Sequence, residues 1–305
     1  MAWEVDFKRD IVIPAREVIR SDLKIKRFYF IPWLVSIIAL TTILLYQSIY
    51  TYVVIFHKKE QAFELILNFF HSDYIVEIII GVAIFLIIYI FMIPIFEWWL
   101  IKYLDEKNKW NEINSLDAIW FWLCRFLPIF EYNNLFSEFK YISVLNIYLF
   151  LIRFVWIEYI KYITYAVFVL FFLSTFINIF FTYSKYEIIL KNKGVFKSIA
   201  VSTKISILNL KNTIKLYFLM FLINIRVLIN FLVFLFFPIL MAVTVSYFTT
   251  KIFLTIAIIL IVILFIVFLL VIWYLTAVLD VFKTSIWYYA YINWRRIAEQ
   301  EIDDE

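Results

Sequence analysis

The sequence predicts an all-α, polytopic integral membrane protein with about six transmembrane helices. Hydrophobic residues make up 65% of the 305 positions and charged residues only 17%, whereas a soluble domain is about 45–50% apolar and about 25% charged. Several apolar runs reach the roughly 20 residues that a helix needs to cross a bilayer. The chain has only 2 glycines, too few for a turn-rich soluble β fold, so helices are the expected way to pair its backbone.

The N-terminal segment, residues 1–27, precedes the first apolar run and carries 7 basic residues. Within it Val18, Ile19 and Leu23 fall on one side of a helical period, with the basic side chains elsewhere. This pattern is typical of a basic amphipathic helix in the headgroup plane. The apolar run that follows, 28–56, is longer than a signal-peptide core of about 7–15 residues, so we expect an uncleaved first span.

The other spans follow from the remaining apolar runs. We predict them near 78–96, 141–157, 162–184, 216–247 and 252–279, with a cytoplasmic tail at 280–305. No internal repeat or linker divides the chain, so residues 1–305 are expected to form a single transmembrane helical domain.

The orientation follows from the distribution of lysine and arginine, which favour the cytoplasmic side. The segment 101–140 carries 5 basic residues and the segment 185–215 carries 7, so an even number of crossings should separate them. Two short helices joined by a tight turn at 158–161 meet this condition. A single tilted helix over 141–184, with 116–130 as half of a re-entrant hairpin, remains open. The two-helix arrangement places both termini in the cytoplasm, with 22 of the 28 basic residues on that side.

A second basic amphipathic helix is predicted over 195–210, where Val195, Ile199, Ser202 and Ser206 share one line with lysines between them. Each basic residue near an anionic leaflet contributes about 1 kcal/mol of binding free energy. The lysines that we expect to contact anionic lipid are Lys191, Lys193, Lys197, Lys204 and Lys211. Tryptophans near the predicted span ends, among them Trp98, Trp99 and Trp294, are expected to form an interfacial belt.

Motifs that carry chemistry are missing from the sequence. Gly81 and Gly194 are too far apart to form a P-loop, a dinucleotide fingerprint or a nucleophile elbow. Cys124 is the single cysteine, and His57 with Glu60 lacks a third metal ligand at a defined spacing. The net charge of +4 is too small for a nucleic-acid partner. We therefore predict no catalytic, cofactor-binding or metal-binding residues.

Polar side chains within predicted spans are costly and are the better functional lead. The candidate intramembrane site comprises Asn224, Arg226, Asn230, Arg153 and Glu158. A simpler interpretation is that 216–247 is longer than the bilayer core, so that Arg226 reaches the cytoplasmic interface along its own side chain.

Two stretches support a family resemblance. After the fourth predicted span the chain reads KGVFKSIAVSTKISILNLKNTIKLYFLMFL, with Gly194, Ser198, Ser202, Asn209 and Leu216. Tyr186 comes shortly before this stretch. The end reads FKTSIWYYAYINWRR, with Ser285, Tyr288 and Tyr291. Both resemble six-helix bacterial membrane proteins related to the membrane domain that accompanies some glycerophosphodiester phosphodiesterases. The resemblance implies a six-helix architecture without catalytic residues.

The expected function is that of a non-enzymatic scaffold or lipid-contacting accessory subunit of a bacterial cytoplasmic (inner) membrane. Its expected partners are membrane lipids, anionic ones above all, and other membrane subunits or further copies of this chain. One alternative is a transporter or channel subunit with a polar site around Arg226. A second is a membrane-embedded lipid enzyme, for which Glu97, Asp280 and Arg226 are the nominal candidates.

Overall fold

The structure is a computed structural model that describes residues 6–22, 74–109, 126–136, 141–154, 157–235 and 251–303, with isolated positions between 25 and 71 and at 139. All the regular elements in these ranges are helical. They are a π-helical segment π1 (Phe7–Val12) and nine α-helices: α1 (Ile13–Ser21), α2 (Ile75–Asn108), α3 (Phe126–Phe136), α4 (Tyr141–Phe154), α5 (Ile160–Phe181), α6 (Ser184–Lys191), α7 (Val195–Leu208), α8 (Leu210–Leu235) and α9 (Lys251–Asp303). The predicted all-helical class is thereby confirmed.

Among the residues that the structure describes, two helical stretches are long and apolar enough to cross a membrane. They are Ile75–Asn108 and Ile160–Lys191, and they contain the predicted spans 78–96 and 162–184. A third is added if Val195–Leu208 and Leu210–Ile225, which are bent by 96° relative to each other, count as one span. Most of the predicted span 28–56 and the end of 216–247 lie outside the described residues.

Residues 141–181 form a hairpin of two helices. Helix α4 is followed by a short 3₁₀ turn at Ile157–Tyr159 and then by α5. The Tyr148 hydroxyl lies 3.2 Å from Thr164 Oγ1, and the rings of Tyr141 and Phe171 are 5.3 Å apart. In both pairs the two residues lie equally far from position 156, one on α4 and the other on α5. Residues farther from the turn therefore contact each other, which means that α4 and α5 are antiparallel. The segment is therefore not one continuous helix. Helix α4 alone is about 21 Å long at 1.5 Å per residue, shorter than the bilayer core.

The helices leave one half of the molecule apolar and exposed. Hydrophobic side chains are exposed along α2 at 76–91, along α5 at 162–176 and along α9 at 256–275. Side chains of this kind need a nonaqueous surrounding, because a water-exposed apolar patch of this extent is rare on a soluble protein. This apolar half is where the candidate spans lie.

The other half, which we call the packed end, contains the hydrophobic core. The core joins π1, α1, the end of α2, α3, α6, α7, the start of α8 and the last part of α9 from Val281 to Ala298. Helix α9 passes without a break from the exposed apolar half into this core. The predicted tail at 280–305 thus begins as a continuation of α9, and residues from Val281 to Ala298 contribute to the core.

The packed end also changes two predictions about the membrane interface. Trp98, Trp99 and Trp294 are buried in the core, with 2%, 4% and 0% of their surfaces exposed, so they do not form an interfacial belt. Helix α1 buries Ala15 and Val18, and it packs against α9. Its apolar face is therefore covered by protein, where we expected contact with the headgroup plane. Leu23, on the same predicted face, lies outside the described residues.

Candidate functional site

A line of buried serines fixes helix α7 against the end of α5. Ser198, Ser202 and Ser206 recur every four residues and are fully buried. Ser202 Oγ donates to the Phe180 carbonyl at 2.7 Å and accepts from the backbone N–H of Tyr183 at 3.0 Å. The last four carbonyls of a helix have no partner within it. Ser202 and Ser206 supply such partners at the end of α5, whereas the Ser198 hydroxyl donates to the Lys193 carbonyl before α7.

Helix α6 is short, and its ends are set by the local sequence. It follows a turn at 182–183 and ends at Asn192, whose φ of 55° and ψ of 35° are left-handed. Asparagine adopts this conformation more readily than most residues. Gly194 then precedes α7. This tight connection turns the single acidic residue of α6, Glu187, into the core, where it is fully buried.

Glu187 is the centre of a buried charged cluster, the Glu187 cluster, formed with Lys193, Tyr291 and Arg295. The Tyr291 hydroxyl donates to Glu187 Oε1 at 2.7 Å, and Arg295 Nη1 lies 3.0 Å from the same atom. Lys193 Nζ lies 2.9 Å from Glu187 Oε2. A buried carboxylate is tolerated when it is paired and hydrogen-bonded. The cluster therefore joins α6 to the last part of α9 across 104 positions of sequence.

Burial and neighbouring charge shift the pKa values of Tyr291 and Arg295 within the cluster. Burial and the nearby Glu187 carboxylate raise the pKa of the Tyr291 hydroxyl, so it stays protonated and donates. Burial would lower the pKa of Arg295, but its contacts with Tyr291 and Glu187 outweigh that effect and raise it. The arrangement is a neutral donor and two cations around one anion.

A cavity of about 250 Å³ opens beside the Glu187 cluster, between α2, α6 and α9; we call it the α6–α9 cavity. Its lining residues are Asp105, Lys109, Leu190, Lys191, Tyr291, Ile292, Arg295, Arg296 and Glu299. Four of these are basic and two are acidic, so the lining carries a formal charge of +2. Arg295 belongs both to the cavity wall and to the Glu187 cluster.

Three further carboxylates join α2 to its neighbours. Asp105 joins it to α9, Asp22 joins it to the end of α1, and Glu97 joins it to α6. Asp105 is 2.6 Å from Lys109 Nζ and accepts from the Tyr288 hydroxyl at 3.2 Å. Asp22 accepts from the Tyr103 hydroxyl at 2.6 Å and lies 2.9 Å from Lys107 Nζ. Burial alone would raise the pKa of the Asp22 carboxyl, but these hydrogen bonds outweigh it and lower the pKa.

The third carboxylate is Glu97, one of the nominal candidates for a lipid enzyme. Its Oε1 lies 2.5 Å from Lys185 Nζ, and both side chains are 27% exposed. The pair joins the end of α2 to the start of α6. Glu97 is therefore part of the contacts that hold the packed end together.

The predicted intramembrane polar site is only partly described. Asn224 is exposed on α8 and accepts from Lys283 Nζ at 3.1 Å, while Lys283 also lies 2.5 Å from Asp280. Glu158 is an exposed residue of the turn between α4 and α5. The side chains of Arg153, Arg226 and Asn230 lie outside the described residues. Asn224 thus meets α9 where that helix enters the packed end.

The five predicted lipid-contacting lysines divide into two groups. Lys191, Lys197, Lys204 and Lys211 are exposed, whereas Lys193 is half-buried and paired with Glu187. The turn at 192–194 brings the Lys193 ammonium back to the buried carboxylate. Lipid contact by the five lysines stays a prediction. The line of Val195, Ile199, Ser202 and Ser206 faces protein rather than lipid.

Helix α7 nevertheless keeps an exposed face with both apolar and basic side chains. Phe196 is 80% exposed and Ile207 is 57% exposed. Lys197 and Lys204 are exposed beside them. At 100° per residue these four positions fall within about one third of the helix circumference. We call this the α7 surface, and we include in it Lys211, which is exposed at the start of α8.

The residues that carry the family resemblance are mostly core residues. Tyr186, Ser198, Ser202, Leu216, Ser285, Tyr288 and Tyr291 have at most 1% of their surfaces exposed. These residues serve the packing of the core, and the family resemblance itself stays a prediction. One signal in the sequence pointed to Glu187, since it is the single acid among seven lysines between 185 and 215.

Within the described ranges, no group of three or more His, Cys, Asp and Glu residues is arranged to hold a metal ion. His57 lies outside those ranges. In comparisons with known proteins, no family model, no curated protein and no solved structure matches the chain.

Proposed function

We propose that this chain is a six-span protein of a bacterial cytoplasmic membrane, with both termini and the packed end on the cytoplasmic side. The distribution of charge supports this topology, because the segments that build the packed end are also those richest in lysine and arginine. The α4–α5 hairpin supports it as well, since it returns the chain to the side from which it came.

Its function, in this proposal, is that of a non-enzymatic accessory or scaffold subunit that contacts anionic lipid through the α7 surface. One observation carries the proposal: Phe196 and Ile207 are exposed beside Lys197 and Lys204 on a single helix. An interfacial helix binds by inserting apolar side chains among the acyl chains while its basic side chains pair with headgroups. The three lysines of this surface contribute about 1 kcal/mol each at an anionic leaflet.

The transporter or channel alternative has less support from the described contacts. It needs Asn224 and its neighbours to face a cavity within the bilayer. Asn224 contacts Lys283, which lies past the end of the last predicted span at 279. This contact favours a position near the headgroups, in agreement with the interpretation that Arg226 reaches the interface.

The experiment compares lipid retention by the full chain and by two variants with the same change in charge. Protein in micelles with equal amounts of phosphatidylglycerol and phosphatidylcholine is analysed by native mass spectrometry. We expect wild type to retain more phosphatidylglycerol than phosphatidylcholine. In K197Q/K204Q/K211Q the ratio of the two retained lipids should fall at least about fivefold. The control K58Q/K59Q/K161Q alters lysines that the topology places outside.

Two results would contradict the proposal. Wild type that retains both lipids equally has no preference for an anionic headgroup. A control variant that loses as much preference as the α7 variant would show that total charge, and not the α7 surface, determines lipid retention.

A further inference from the structure

The α6–α9 cavity is separate from the α7 surface, because none of Lys197, Lys204 and Lys211 lines it. Its volume of about 250 Å³ lies below the range of about 300–1,000 Å³ that is typical of pockets for drug-sized ligands. The size suits a small polar group. Tyr291 and Arg295 form its inner wall and are themselves fixed by Glu187, so the wall is preorganised by a buried charge.

The two acidic residues of the lining are already paired. Asp105 is held by Lys109 and Tyr288. Glu299 Oε1 accepts from Arg295 Nε at 2.8 Å, and its side chain is 56% exposed. The cavity therefore combines a net positive charge with carboxylates that are already bound to cations.

Several donors of the cavity remain for a ligand. Lys191 and Arg296 are exposed at its edge. The contacts of Arg295 described above use its Nε and Nη1 atoms, whereas a guanidinium has five N–H donors in all. Guanidinium and ammonium groups that converge on one space match the oxygens of a phosphate, which accepts several charge-assisted hydrogen bonds at once.

We propose that the α6–α9 cavity binds a phosphate group through Lys191, Arg295 and Arg296. The phosphate is carried by a phospholipid headgroup or by a small soluble phosphate compound. In the absence of ligand the Glu299 carboxylate accepts a hydrogen bond from Arg295 Nε, one of the donors that line the cavity. Glu299 therefore competes with the ligand, and this gives the proposal an unusual signature: one substitution in the cavity weakens binding and another strengthens it.

The experiment measures binding of inorganic phosphate to the full chain in a neutral detergent by calorimetry, at constant ionic strength maintained with chloride. We expect K191Q/R296Q to bind phosphate about tenfold more weakly than wild type, since it removes two charged donors. E299Q should bind more tightly, because the competing carboxylate is gone. The control K197Q/K204Q lowers the charge of the α7 surface equally and should bind like wild type.

Competition then identifies the source of the phosphate. Displacement of bound phosphate by phosphatidylglycerol in the micelle assigns the site to a headgroup, and displacement by glycerol 3-phosphate alone assigns it to a soluble compound. The proposal is overturned if wild type does not bind phosphate, or if K191Q/R296Q and E299Q bind it as wild type does. Melting curves of each variant verify that the exposed substitutions leave the fold intact. Either failure leaves lipid contact by the α7 surface untouched, because that surface has its own variant and readout.

Discussion

Glu187 is a single carboxylate that holds three side chains from two distant parts of the chain. Its partners Tyr291 and Arg295 come from α9, and Lys193 comes from the connection before α7. Removing the charge of the fully buried Glu187 leaves two cations with only part of their pairing. Such a change costs far more free energy than the loss of an ion pair on the surface.

We therefore expect E187Q to lower the free energy of unfolding by about 2–4 kcal/mol, somewhat below the usual cost of breaking a buried pair because Lys193 is half-buried. Thermal and denaturant unfolding in detergent, followed by tryptophan fluorescence, measures this loss. E299Q is the matched control: it makes the same chemical change in another carboxylate bonded to Arg295, but at an exposed position. The control substitution should lower the free energy of unfolding by less than about 1 kcal/mol. Equal losses in both variants would show that the Glu187 cluster does not stabilise the core.

At this scale the sequence allowed only part of the site to be predicted. Glu187 was not among the predicted site residues, although it is the single acid among seven lysines between 185 and 215. Four of the five selected lysines are exposed. Lys193 could not be told apart from them, because its pairing depends on the left-handed turn at Asn192. Arg295 could not be linked to Glu187 either, since no local pattern connects positions about a hundred residues apart.

Helix α7 shows what periodicity can and cannot establish for a single element. The spacing of Val195, Ile199, Ser202 and Ser206 predicted a helix with one distinct face, and the helix is present. Periodicity does not reveal whether that face meets lipid or protein, since both environments favour apolar and small residues. The serines decide it in retrospect, because their hydroxyls pair with carbonyls at the end of α5.

The serine line leads to a prediction about the packing of α7. We expect S202A to lower the free energy of unfolding by about 1–3 kcal/mol, because the buried carbonyl of Phe180 and the N–H of Tyr183 each lose a hydrogen bond. T203A is the control, since the Thr203 hydroxyl donates to the Ile199 carbonyl within the same helix at 2.9 Å. It should change the unfolding free energy by less than about 1 kcal/mol. A loss in S202A no larger than in T203A would rule out a fastening role for Ser202.

Across the whole molecule, composition and run length predicted the helical class and the apolar half, because both depend on local sequence. The packed end could not be predicted in the same way. Its contacts join Asp105 to Tyr288 across 183 positions and Asp10 to Asn293 across 283. The segments concerned were predicted as a basic amphipathic helix, a basic cytoplasmic segment and a cytoplasmic tail. Each is too short to form a core alone. Together they form one.

We propose that the apolar half crosses the membrane and that the packed end lies on the cytoplasmic side, opposite the α4–α5 turn. Cysteine labelling in intact cells tests it directly. Cys124 is the single cysteine, so C124S gives a cysteine-free background for E158C in the α4–α5 turn and K204C on the α7 surface. Both positions are exposed on the protein. We expect a membrane-impermeant maleimide to label E158C in intact cells, and to label K204C only after the membrane is opened. Labelling of K204C in intact cells, or of both positions from the same side, would contradict the account.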